Sequence, residues 1–104
     1  MDYLIITDHA EDRFRERVKL PKRLVTKQAR LALERGLTHA DTAGSLRRYV
    51  DGLYREHHLA NNIRIYCGTV YVFHYDTLIT VFPVPQKYRK LAVLLSQKKK
   101  QQQT

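Results

Sequence analysis

The hydrophobic periodicity of this chain changes near position 60, and that change constrains the fold more than any other feature. Upstream of it, apolar residues recur every three or four positions, which is typical of amphipathic helices. Downstream, from 63 to 82, apolar residues alternate with polar ones or form short runs between turns, which is typical of strands. The pattern predicts an α+β fold in which N-terminal helices pack on a small antiparallel sheet of three to four strands.

Three helices are predicted before the change in period. The first runs from His9 to Val18, after an N-cap at Thr7 or Asp8. The second runs from about 22 to 35 and the third from about 43 to 58, with a clear apolar stripe on the third.

Three short strands follow, and tight turns separate them. Because the connections are short, neighbouring strands are expected to pair in antiparallel order. A short helix from 87 to 96 would complete a single domain of residues 1–96. The tail from 97 to 104 has no apolar residue and is predicted to be disordered. The predicted strands are 63–67, 70–75 and 78–82.

The charge of the chain indicates a polyanionic partner. Lys and Arg number 19 against 10 Asp and Glu, which gives a net charge of +9 and a pI near 9.9. Phosphate groups attract these cations and release counterions when they are neutralised. This balance favours RNA, such as tRNA or mRNA, as the partner. A basic surface that merely opposes aggregation is the alternative.

Cysteine usage and hydropathy narrow the class further. Cys67 is the only cysteine, so an intramolecular disulfide and a Cys-rich zinc site are excluded, and we expect a small buried residue there. The N-terminus lacks the features of a signal peptide, and the apolar runs fall far short of the ~18 residues of a membrane span. We therefore expect a cytoplasmic protein that does not bind membranes. No cofactor or metal site is predicted, since the adjacent His57 and His58 point to different sides of a helix.

The first helix carries the residues that are most suited to chemistry. His9, Arg13 and Arg17 follow each other at intervals of four and form one stripe beside the apolar face. A histidine exchanges protons near neutral pH, and arginine stabilises charge on phosphate oxygens. The set suits metal-independent RNA cleavage, in which the 2′-hydroxyl attacks the phosphate and leaves a cyclic phosphate. An ordinary solvated helix edge with Arg–Glu pairs is the alternative.

The strands add further candidates. With the simplest strand pairing, Arg64, Tyr66 and Thr80 line one sheet face. Arg64, Tyr66 and His74 are candidates for substrate binding, although tyrosines in strands more often serve in packing. The alternating neighbours that would then face the helices are Ile63, Ile65, Ile79 and Val81.

Two segments resemble a known family. Residues 7–17, Thr-Asp-His-Ala-Glu-Asp-Arg-Phe-Arg-Glu-Arg, resemble the T-x-H-A-x-x-R-x-x-x-R opening of small toxin-like and phage-encoded proteins of the barnase–EndoU–colicin–RelE (BECR) ribonuclease fold. Residues 76–85, Asp-Thr-Leu-Ile-Thr-Val-Phe-Pro-Val-Pro, are similar to the final strand of that group. The two segments lie near the ends of the chain, and the middle is not matched.

The resemblance implies a ribonuclease with its site on the sheet, framed by the first helix. It implies that His9 is the acid or base, that Arg13 and Arg17 bind or stabilise phosphate, and that Thr80 helps to position it. It also implies a cognate antitoxin or inhibitor protein as a possible partner. The third helix is longer than the link this group predicts, so it could cover the site or bind a partner.

Two other functions stay open at this point. One is an RNA- or DNA-binding module without chemistry, which the charge alone would explain. The other is a protein-interaction module, such as a host-targeting phage protein, that uses the Tyr-rich third helix as its contact surface.

Overall fold

A computed structural model describes residues 4–102 and confirms an α+β fold, with four α-helices and one four-stranded sheet. Within these residues, none of the helices is both long and apolar enough to cross a membrane. In chain order the elements are β1 (Ile5–Ile6), α1 (Asp8–Arg13), α2 (Val25–Arg35), α3 (Gly44–Glu56), β2 (Asn62–Tyr66), β3 (Thr69–His74), β4 (Thr77–Pro83) and α4 (Gln86–Gln102). A π-helical turn (Phe14–Val18) continues α1, and 3-10 turns cover Lys22–Leu24 and His39–Asp41.

The sheet has the order β1-β4-β3-β2. The predicted meander of β2, β3 and β4 is antiparallel, as expected from its short turns. The added strand β1 pairs in parallel with β4, and the Ile5 N–H donates to the Asp76 carbonyl at 2.8 Å. The sheet is therefore mixed rather than purely antiparallel. A two-residue edge strand carries no sequence pattern that fixes its direction, so this feature was not predictable.

Helices cover both faces of the sheet. The α1–α2 face and the α3–α4 face each hold a separate hydrophobic cluster, and β3 is buried from Thr69 to Phe73. Burial on both faces explains why β3 is almost entirely apolar instead of alternating. The buried cluster under α1 and α2 contains Ala10, Phe14, Val25, Ala29, Ala32, Tyr71, Phe73, Leu78 and Val81. The buried cluster under α3 and α4 contains Leu37, Leu46, Val50, Leu53, Ile63, Ile65, Val70, Val72, Val84 and Ala92.

The strand register corrects one prediction. In the observed pairing, Thr80 lies in line with Ile63 on the α3–α4 face. Arg64 lies in line with Val81 on the opposite face, and Tyr66 packs on that same side. The expectation that Arg64, Tyr66 and Thr80 share a face is therefore wrong. The expectation that Ile63 and Val81 share a face is wrong as well. Alternation fixes the two sides of one strand, but the offset between strands decides which sides coincide.

The C-terminal segment differs most from the prediction. Helix α4 continues through 97–102, where a disordered tail was expected, and residues 103–104 lie outside the described part. Lys99 explains the difference, because its Nζ donates to the Gly36 carbonyl at 2.9 Å and to Asp41 Oδ2 at 2.6 Å. These contacts attach the polar end of α4 to the α2–α3 connection. Composition alone does not reveal such long-range partners.

Asp41 is held as a carboxylate by these contacts. Burial acts to raise its pKa, but hydrogen bonds from Lys99 and from Thr38 outweigh burial and hold the pKa below the ordinary value of 3.8. The same carboxylate accepts from the Thr38 N–H at 2.9 Å, which forms a capping box on the 3-10 turn. One side chain therefore links the turn and the end of α4.

Cys67 is exposed, which contradicts the expectation of a buried residue. It forms the two-residue turn of the β2–β3 hairpin with Gly68, one position earlier than predicted. Both residues have positive φ, 49° and 77° respectively. Such turns match the twist of paired strands, and glycine adopts this conformation without strain.

Candidate functional site

Thr7 fixes the start of α1 against the sheet. Its hydroxyl accepts from the Ala10 N–H at 3.0 Å and donates to the Leu78 carbonyl of β4 at 3.1 Å. The buried side chains of Ala10 and Phe14 then anchor the helix against the sheet. The position of His9 relative to β4 is therefore set by an N-cap and by packing.

The π-helical turn after α1 changes how the predicted stripe is arranged. In an uninterrupted α-helix, residues eight positions apart differ by about 80° around the axis. A π turn contains more residues per turn, so each residue advances by a smaller angle. Across Phe14–Val18 this brings Arg17 back towards the side of His9. Arg17 is fixed there by a hydrogen bond from its Nη1 to the Val81 carbonyl, at 3.3 Å.

A pocket of about 440 Å³ lies between α1, α3 and β4. It brings together three of the four predicted catalytic residues, namely His9, Arg17 and Thr80. The remaining lining consists of Tyr49, Leu53, Glu56, His57, Ile79 and Phe82. We call it the two-histidine pocket, because His9 and His57 both line it.

The pocket has a buried floor and an accessible rim. Thr80, which is 6% exposed, belongs to the floor on β4. His57 is half-buried, and its ring stacks on Phe82 with centroids 6.1 Å apart and planes at 21°. His9 and Arg17 are exposed and lie on the opposite side, on the α1 segment. The pocket is therefore open to solvent at His9 and Arg17 and closed at Thr80.

Tyr49 lines the pocket with a neutral phenol side chain. Its half-buried ring stacks on Tyr88 of α4, with centroids 4.7 Å apart. Burial, followed by the charges of Glu56 and Tyr88, raises the pKa of Tyr49 to about 12. The phenol is therefore protonated at neutral pH and can donate a hydrogen bond to an anion.

Arg13 and His74 lie outside the pocket. Arg13 Nη1 donates to Glu16 at 2.7 Å, which is the helix-edge ion pair that the spacing allowed as an alternative. His74 is exposed, with Nδ1 2.6 Å from the Leu59 carbonyl. Neither side chain lines the two-histidine pocket.

Arg64 and Tyr66 also lie elsewhere. Arg64 donates to Leu33 O at 2.6 Å and to Asn62 Oδ1 at 2.7 Å, which ties β2 to α2. Burial, as the largest cause, lowers the pKa of Arg64. Tyr66 lines a separate groove beside Cys67. The observed contacts of Arg64 are thus structural, and Tyr66 belongs to a different cavity.

The sequence interpretation missed the site contribution of α3. His57 was considered only as half of an adjacent histidine pair. Tyr49, Leu53 and His57 stand at intervals of four on one helical face, and extending the apolar stripe by one turn would have included His57. α3 forms one wall of the pocket, and the prediction that the third helix covers the site or binds a partner stays a prediction.

Comparison with protein-family models, with curated proteins and with solved structures gives no match. The resemblance of residues 7–17 and 76–85 to the BECR group therefore stays a prediction. Within residues 4–102, no cluster of three or more His, Cys, Asp or Glu side chains has the arrangement of a metal site.

Proposed function

We propose that this chain is a toxin-like endoribonuclease that cleaves single-stranded RNA without a metal ion. The observation that carries the proposal is the two-histidine pocket, where His9, Arg17 and Thr80 meet His57. Two imidazoles suit a reaction that needs one proton removed and one supplied near neutral pH. The net charge of +9 supports a polyanionic substrate.

The proposed reaction is a transesterification within the RNA. One imidazole takes the proton of the ribose 2′-hydroxyl, and the 2′-oxygen forms a bond to the adjacent phosphorus. The bond from phosphorus to the 5′-oxygen of the next nucleotide breaks, and the other imidazole protonates that oxygen. The products are a 2′,3′-cyclic phosphate and a 5′-hydroxyl, so the RNA supplies its own nucleophile.

Arg17 and Thr80 stabilise the phosphate in this scheme. The bond from Arg17 to the Val81 carbonyl uses one of its five N–H donors and leaves others for phosphate oxygens. The backbone of Thr80 is held by the β3–β4 ladder, so the residue is in place before the substrate binds. Tyr49 adds a third donor that carries no charge.

A binding module without chemistry is the second candidate. The exposure of His9 and Arg17 favours it, since groups on an open rim suit phosphate binding as well as catalysis. In either case we propose a cytoplasmic protein with RNA, such as tRNA or mRNA, as its partner. A cognate inhibitor or antitoxin would accompany the nuclease function.

A cleavage assay in EDTA separates these candidates. Purified protein is incubated with a labelled single-stranded RNA and with DNA of the same sequence, and product ends and binding are both measured. We expect the RNA to be cut to cyclic phosphate ends and the DNA, which lacks the 2′-hydroxyl, to be bound but uncut. His9→Ala should abolish cleavage with little loss of binding, whereas the control His74→Ala should cut like wild type.

Two results would change the conclusion. Cleavage by His9→Ala at the wild-type rate would refute the proposed site. Salt-sensitive binding of RNA and DNA without cleavage of either would replace the nuclease by the binding module.

A further inference from the structure

A second cavity, larger than the two-histidine pocket, lies away from it. It has a volume of about 790 Å³ and runs between α4, the β2–β3 turn and the C-terminal end of α2. It shares no lining residue with the two-histidine pocket. We call it the basic groove, because Arg35, Arg89, Lys99 and Lys100 all line it.

The charged side chains that line the basic groove are all positive. Its described lining contains those four cations and no Asp or Glu. Lys99 is occupied by Gly36 and Asp41, so its main role is structural. Arg89 donates through Nε to the Val84 carbonyl at 3.0 Å, which fixes the guanidinium and uses one of its five N–H donors. Arg35 and Lys100 are exposed at the rim.

The floor of the basic groove is apolar. Ile65 and Ala92 are buried there, and Val93 of α4 is 54% exposed. Tyr66 adds a half-buried aromatic ring. Apolar side chains together with a few charged groups, in a cavity of several hundred Å³, are typical of sites for organic ligands. The groove therefore suits a ligand that has both a flat apolar part and an anionic part.

We propose that the basic groove binds one nucleotide unit of a single nucleic-acid strand, with the base against Val93 and Tyr66 and the phosphate at Arg35 and Arg89. Bases stack on aromatic and apolar side chains without sequence preference, and cations follow the backbone. An acidic protein segment would satisfy the cations, but it would not need the apolar floor.

The groove also has a place relative to the two-histidine pocket. Tyr88 stacks on Tyr49, which lines the two-histidine pocket, while the next residue, Arg89, lines the basic groove. The first turn of α4 thus contacts a lining residue of one cavity and lines the other. A single RNA strand could bind in both cavities by crossing the first turn of α4. This part of the inference rests on the proposed function. Nucleotide binding in the groove does not depend on cleavage.

Cys67 provides a direct measurement of occupancy. It is the only cysteine of the chain, it is exposed, and it lines the basic groove. The rate of its alkylation by a thiol reagent is measured with increasing amounts of a short deoxythymidine oligonucleotide, which cannot be cut. We expect saturable protection that slows the reaction. An abasic strand of the same length should protect much less, because it offers phosphates without bases.

Substitutions locate the effect. Arg35→Gln and Arg89→Gln should each raise the half-protecting concentration about tenfold, as expected for loss of one charge-assisted contact. Arg23→Gln removes the same charge from an exposed turn at the other end of α2, so this control should change the half-protecting concentration little. Using both arginines guards against an effect of Arg89→Gln on the start of α4.

The outcomes are distinct from those of the cleavage assay. Absence of protection at saturating oligonucleotide overturns the groove proposal, even if RNA is cut. Equal protection by the abasic strand or by heparin also overturns it, since either result identifies general polyanion attraction. Protection that depends on bases, in a protein that cuts no RNA, supports the groove and refutes only the nuclease.

Discussion

Substitution of Lys99 by Met tests whether the polar end of α4 is a docked helix. Lys99→Met keeps most of the aliphatic stem and removes the ammonium that contacts Gly36 and Asp41. The side chains of Lys99 and Asp41 are only 18% and 28% exposed, so water replaces the lost bonds incompletely. Charge-assisted hydrogen bonds contribute about 1.5–3 kcal/mol each. Because Asp41 keeps its bonds from Thr38 and some solvent access, we expect a loss of about 2 kcal/mol in the free energy of unfolding.

The assay is thermal and denaturant unfolding followed by circular dichroism. A loss of that size corresponds to roughly 10 °C in Tm for a domain of this length. Lys98→Met serves as the matched control, because Lys98 is exposed on the same helix. Equal effects of the two substitutions would refute the docking of this segment. A loss of helical signal of the same size in both variants would refute it as well.

The pH dependence gives an independent check. The pKa of Asp41 is lower in the folded protein than its ordinary value of 3.8, so its stabilising contribution is complete above 3.8. That contribution is lost as the pH falls through the lower folded value. The stability difference between wild type and Lys99→Met should therefore narrow in strong acid, leaving the part due to the Gly36 carbonyl. A difference that stays constant across this range would contradict the role of Asp41.

Two further predictions use matched pairs. Gly36→Ala should destabilise the protein by about 1–3 kcal/mol, because a Cβ there would lie 2.4 Å from a backbone carbonyl of α2. Gly52→Ala should instead stabilise the protein by about 0.5–1 kcal/mol, since Gly52 lies within α3 and the atom nearest to an added Cβ is 3.7 Å away. Chemical denaturation measures both changes in the free energy of unfolding. Changes of the same sign would refute the steric argument. Arg17→Gln should lower kcat/KM for RNA about 10²-fold, whereas Arg13→Gln, outside the pocket, should leave it nearly unchanged. Equal losses would show that the helix supplies general charge and no specific contact.

The sequence predicted the elements that have strong local signals. The helix period, the caps and the short turns placed three helices and the meander within a few residues of their observed bounds. The features that the sequence did not predict are contacts between distant segments. The pairing of β1, the offset that separates Thr80 from Arg64, and the partners of Lys99 all join segments that are distant in the chain. No local pattern encodes such contacts.

The same contrast between local signals and distant contacts applies to the candidate site. His9 and Arg17 were predicted together because they share a helix, and the role of Thr80 came from the family resemblance; all three line the two-histidine pocket. His57 comes from a different element, and only the packing of α3 beside β4 brings it to them. Arg13 has the correct spacing, but the π-helical turn shifts the relation between it and Arg17.

Cleavage by His57→Ala is the decisive test of the two-histidine pocket, because His57 joins His9 there only through the packing of α3 beside β4. The adjacent His58 is exposed and does not line the pocket, so His58→Ala is a control with the same change of side chain. In EDTA, with single-stranded RNA, we expect that His57→Ala loses the cyclic phosphate products while His58→Ala keeps them. Wild-type cleavage by His57→Ala, with folding confirmed by circular dichroism, would contradict the two-histidine pocket as the site of the reaction.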